Sequence, residues 1–154
     1  MFDKFMFCDA LDLSALNSTG IIGSNFWDIE EDSSTTDGQL LGWINILITA
    51  AAAQSALGGT EGIWIELRCD DTANLAFTPA SATADEQILG AIWLAKIQLV
   101  AGKIYSFGIS RANLGKYVGI WARAHTTSVS GTLNIDAWFG QQPDGVLGIQ
   151  KKPV

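Results

Sequence analysis

Apolar and polar side chains alternate with a period of two through much of this chain. That spacing puts one face of a β-strand on a core and the other toward water. Between Trp43 and Thr49, Ile44, Ile46 and Ile48 oppose Trp43, Asn45, Leu47 and Thr49. Between Ile63 and Asp70, Ile63, Ile65, Leu67 and Cys69 oppose Trp64, Glu66, Arg68 and Asp70. In Tyr117–Ala124, Val118, Ile120, Ala122 and Ala124 oppose Tyr117, Gly119, Trp121 and Arg123. In Thr132–Phe139, Leu133, Ile135, Ala137 and Phe139 oppose Thr132, Asn134, Asp136 and Trp138. Weaker strand signals lie at Leu11–Leu16, Phe26–Ile29, Asn74–Thr78, Ile92–Leu99 and Lys103–Ser110. Gly, Ser, Asp and Asn separate these stretches. The pattern predicts an all-β fold: an antiparallel β-sandwich or jelly roll of about eight strands.

The last two strong strands are expected to form a hairpin; one of several registers that match their faces sets Ala124 against Leu133 and Trp121 beside Asp136. A single domain covers residues 1–140. Residues 141–154 form a tail, because Pro143, Gly145, Gly148 and Pro153 make it a poor strand. Its Val146, Leu147 and Ile149 suggest that it docks. The run from Thr49 to Gly59, TAAAAQSALGG, is alanine-rich enough for a short helix. A strand ending near Thr49, then a loop to Gly62, fits the neighbouring alternation better.

Composition narrows the function classes. Charged residues make up only 16% of the 154 residues, where a soluble domain usually has about a quarter. Another subunit could cover part of such a surface. Acidic residues outnumber basic ones, 16 to 9, for a net charge of −7, which argues against nucleic acid as a partner. The longest apolar run, Leu40–Ala53, has 14 residues and contains Asn45. It is too short to span a bilayer, and no membrane partner is expected. Cys8 and Cys69 could form a bridge, but two reduced, half-buried thiols fit a chain this poor in cysteine better.

Catalytic and metal-binding signals are weak, and neither cofactor nor metal is expected. His125 has no Ser or Cys nucleophile motif beside it. It reads as a loop residue making a local hydrogen bond. Asp28, Glu30, Glu31, Asp32 and Asp37 crowd one stretch, and Asp70 and Asp71 another. Their spacing does not match a calcium loop, and nothing singles out a carboxylate pair for glycoside hydrolysis. Solvated loops are the plain reading, and ion binding at Asp28–Gly38 stays open.

The six tryptophans are the most informative residues. Trp43, Trp64, Trp121 and Trp138 all fall opposite the aliphatic face of their strands. Two readings follow. The outer face can be covered by the chain's own loops and tail, or the rings can be anchors of a protein–protein interface. On the second reading the interface candidates are Trp43, Trp64, Trp121, Trp138 and Tyr117, with Val146, Leu147 and Ile149 of the tail. A carbohydrate-binding jelly roll is the alternative function, with Trp121, Arg123, Asn134, Asp136 and Trp138 as its stacking and hydrogen-bonding residues.

Four stretches carry a family resemblance. They are FMFCDALDLSALNSTGIIGSNFWDI (Phe5–Ile29), WINILITAAAAQSALGGTEGIWIELRCDDTANLAF (Trp43–Phe77), LVAGKIYSFGIS (Leu99–Ser110) and KYVGIWARA (Lys116–Ala124). With the final strand after Gly131, they resemble the capsid cement proteins of tailed phages, the Bbp16-like family. The resemblance implies a jelly-roll decoration protein on the outer capsid surface of the virion. It also implies the phage major capsid protein as partner and self-association as a symmetric dimer or trimer. It supplies no catalytic residues. The acidic stretch at Asp28–Gly38, the tryptophan count and the tail after Gly140 depart from the family pattern.

Overall fold

The structure is a computed structural model that describes residues 5–28, 42–51, 57, 61–70, 87–109, 117–140 and 142–147. Among the described residues nine strands follow one another: β1 (Phe5–Asp12), β2 (Ile21–Asp28), β3 (Trp43–Ala51), β4 (Gly62–Asp70), β5 (Gln87–Ala95), β6 (Ile104–Gly108), β7 (Tyr117–Ala124), β8 (Leu133–Gly140) and β9 (Val146–Leu147). A 3₁₀ turn, Lys96–Gln98, follows β5. One sheet has the order β1-β8-β3-β6-β9 and the other β2-β7-β4-β5. Apart from the short tail strand, this interleaved order is that of an eight-stranded jelly roll. The all-β sandwich expected from the alternation is therefore the fold.

The alternation also selects the core. Ile44, Ile46 and Ile48 of β3, with Ile63, Ile65 and Leu67 of β4, are fully buried. They form one cluster with Ile92 and Leu94 of β5, Phe107 of β6, Val118 and Ile120 of β7, and Leu133 and Ile135 of β8. Each strand contributes every second side chain, so burial needs no irregular backbone there.

The expected β7–β8 hairpin does not form. β7 pairs with β2 and β4, whereas β8 pairs with β1 and β3. The connection from Ala124 to Leu133 instead crosses from one sheet to the other. It runs beside the β1–β2 connection and is tied to it: the Leu13 amide donates to the Leu133 carbonyl at 2.7 Å, Val129 to Leu16 at 2.7 Å, and Ala124 to Asn17 at 2.9 Å. Inward-facing periodicity is satisfied equally by either partner, so it could not choose between them.

Several strand limits differ from the expected ones. β1 ends at Asp12, near the start of the expected strand Leu11–Leu16, β2 starts before Phe26, and β5 starts five residues ahead of Ile92 and stops at Ala95, short of Leu99. β3 continues two residues past Thr49, to Ala51. Most of the alanine run and the expected strand Asn74–Thr78 lie outside the described residues. The tail is not only an extension, since Val146 and Leu147 pair in parallel with Tyr105 and Ser106 of β6.

Candidate interaction surface

The outer face of the β2-β7-β4-β5 sheet carries Trp64, Glu66 and Arg68 of β4 next to Trp121 and Arg123 of β7. Register sets Trp64 opposite both Trp93 and Arg123, and Glu66 opposite both Ala91 and Trp121. Glu66 is fully buried and lies between two guanidinium groups. Arg68 Nη2 is 2.5 Å from its Oε2, and Arg123 Nε is 3.0 Å from its Oε1. The same cations cover the indoles. The Arg68 guanidinium carbon lies 4.7 Å from the Trp121 ring centre and that of Arg123 lies 5.9 Å from the Trp64 ring. Flat, weakly hydrated guanidinium groups suit both tasks.

This arrangement corrects the reading of the tryptophans as exposed anchors. Trp121 is 3% exposed and Trp64 is 7% exposed in the single chain. Tyr117 is buried too, in a small cluster with Trp121 and Ile22. A backbone turn helps to seal Trp121: Gly20, at φ +91°, leaves the space into which its indole fits. Only glycine readily takes that φ without a side chain in the way.

Trp138 is closed off on the other sheet, where it is 6% exposed. Its Nε1 donates to Asp144 Oδ2 at 3.0 Å. Asn45 organises the surrounding knot. Its Oδ1 accepts from Ser106 Oγ at 2.6 Å and from the Asp144 amide at 2.9 Å. The Gly145 amide in turn donates to Ser106 Oγ at 3.1 Å. Asn45 and Ser106 are fully buried, so their hydrogen bonds are made with the chain rather than with water. Residues 142–147 of the tail thus dock on their own domain. Gly145 permits the approach, because a Cβ there would run into the Ile104 carbonyl.

Of the interface candidates, only Trp43 among the four indoles is half-buried. Val146 and Leu147 are placed in β9 against β6, and Ile149 lies outside the described residues. The carbohydrate-binding set does not assemble. Trp121 and Arg123 belong to one sheet, while Asn134, Asp136 and Trp138 belong to the other.

The remaining chemistry is modest. Cys8 and Cys69 are free, buried thiols, and burial pushes the Cys8 thiol up to about 12. His125 is exposed and stands edge-on to Trp93, with ring centres 5.4 Å apart. Hydrogen bonds from Thr127 and Thr126 hold the Glu61 carboxyl below the usual carboxylate range. Among the described residues no three His, Cys, Asp or Glu side chains gather as a metal set. The acidic stretch after Asp28 lies outside the described residues.

Sequence reading missed the apolar surface that is exposed. The large hydrophobic side chains exposed among the described residues are Ile88 (44%), Ile97 (82%) and Val100 (47%). All three belong to β5 or to the turn that leaves it. The available signal was the absence of charge from Gln87 to Ala95, QILGAIWLA. No family model matches the chain, and no curated protein matches it.

Proposed function

We propose that this chain is a structural decoration protein of a tailed-phage head, binding the outer surface of the shell and bridging major capsid protein subunits. The observation that carries the reading is the apolar turn after β5. Ile97 and Val100 stand out from the surface between Lys96 and Lys103. Large exposed apolar residues gain most from being covered by another protein. The Lys96 ammonium donates to the Leu57 carbonyl at 2.6 Å, which braces the base of this turn. A pair of lysines on a chain of net charge −7 also gives the turn a local sign opposite to the rest of the molecule, suited to an acidic rim on the partner.

The jelly-roll frame and the resemblance of the four stretches favour this reading over other binding roles. The buried indoles stiffen the scaffold and do not touch the shell. Repetition over a symmetric particle makes a small contact per copy sufficient.

The test is cosedimentation of the purified chain with heads of the phage that encodes it. The double variant Ile97→Asp, Val100→Asp is expected to bind roughly tenfold or more weakly, with its thermal unfolding unchanged. Wild-type protein that never sediments with heads would end the proposal.

A further inference from the structure

Among the described residues the jelly roll has four edge strands, and three of them carry features that discourage pairing. β1 contains Asp9 and Asp12 and two register shifts against β8. β2 has a register shift between Ile22 and Phe26. β9 is two residues long. Short strands, inward or edge charges and bulges are the usual protections of a sheet edge. β5 differs. It has nine residues with neither charge nor proline, its one register shift against β4 falls near its start, between Ile88 and Gly90, and among the described residues no strand pairs with its outer side.

The ladder fixes which backbone groups face outward. The Lys96 amide donates to the Glu61 carbonyl at 2.8 Å. In the same register Ile63 faces Leu94 and Ile65 faces Ile92, so these alternate pairs hold the β4–β5 hydrogen bonds. Ala91, Trp93 and Ala95 therefore turn their N–H and C=O groups away from β4. The Ala95 amide illustrates the direction, because it donates to Gln98 Oε1 at 2.9 Å. That contact also closes the outer side at Ala95 and leaves Ala91 and Trp93 as the pairing positions.

We propose that a second copy of this chain adds to β5, antiparallel and about a two-fold axis at Ile92, joining two four-stranded sheets into one of eight. The axis sets Ala91 of each copy opposite Trp93 of the other. Both residues present outward groups, so the two symmetric pairs make four backbone hydrogen bonds. Ala91 is small and nearly buried, which leaves a notch for the half-buried Trp93 ring of the partner. Beyond the shift at Gly90, the exposed Ile88 of each copy lies towards the far end of the other copy's β5, so apolar surface meets there. Charge favours this edge as well. Two chains of net −7 repel over most of their surfaces, and β5 brings no acidic side chain into the contact.

The proposal deepens the self-association within the decoration reading but needs no capsid. A dimer that ignores heads would count against head binding alone, and a monomer that binds heads would count against this inference alone. The test is sedimentation equilibrium of the full chain on the order of 10 μM, with amide exchange measured at two concentrations. Wild type is expected at twice the 16.5 kDa chain mass, with the Ala91 and Trp93 amides exchanging about tenfold more slowly at the higher concentration. Ala91→Pro removes an outward N–H while sparing the β4 ladder and is expected to give monomer, as is Ile88→Lys. A wild-type monomer or trimer, a dimer that survives both substitutions, or concentration-independent exchange at those two amides would overturn it. Should Ala91→Pro fail to fold, Ile88→Lys and the wild-type exchange data decide the matter.

Discussion

The indole of Trp121 fills the space above Gly20, where a β-carbon would otherwise begin, and the Arg68 guanidinium lies over its ring. An aromatic ring held between a left-handed glycine and an arginine is a packing element of the folded monomer. Gly20→Ala is expected to lower stability by about 1–3 kcal/mol through strain and overpacking. Trp121→Ala should cost about 3–5 kcal/mol through lost burial. Thermal unfolding of the isolated chain checks both, and an unchanged midpoint for Trp121→Ala would return that ring to the list of partner contacts.

Asn45 holds the tail by accepting from both Ser106 and Asp144. Asn45→Ala leaves those donors without their acceptor inside the protein, at about 1–3 kcal/mol. Limited proteolysis is expected to cut near residues 142–147 faster in this variant, while sites in β3 and β4 stay protected.

Glu66 neutralises Arg68 and Arg123 in a water-poor layer. Glu66→Gln keeps the shape and removes the carboxylate charge that Arg68 and Arg123 share. The expected loss is about 3–5 kcal/mol, read by urea denaturation. Glu66→Gln with Arg123→Leu should recover part of it, since one of the two cations that Glu66 faces is then gone.

Cys8 should resist thiol reagents at pH 8 in the native chain and react at once in denaturant, because burial holds it protonated. The sign for stability follows from linkage. The folded value is raised above the ordinary 9.0 to about 12, so the contribution is whole below about pH 9 and fades as pH climbs toward 12. Cys8→Ala should flatten that alkaline decline in a series of unfolding midpoints.

β3, β4, β7 and β8 were legible because each alternates strictly and packs one aliphatic face inward. β1 was not, because the register shifts around Cys8 reset its parity, and FMFCDALD shows no clean period of two. β5 was placed late, because its residues are apolar on both faces and its end is set by a turn at Lys96 that periodicity does not mark. Alternation correctly assigned the indoles to the outer face, yet it is silent on what lies above that face. Their cover comes from arginines on the same sheet and from a tail some residues further along, and both depend on register. The exposed surface at Ile97 and Val100 was hidden for the opposite reason: an apolar run reads as core.

Pairing β1 with β8 joins Phe5 to Phe139 and Asp12 to Asn134, so the first strand made is completed by nearly the last. A nascent chain emerging at about 5–20 residues per second therefore makes all of β2 to β7 before β1 gains its hydrogen-bond partner. Closure of so many distant contacts makes folding slow and concentrates the risk of aggregation before Leu133–Gly140 is available. Chains cut short of that segment are expected to collect in inclusion bodies, whatever their remaining strands are capable of forming.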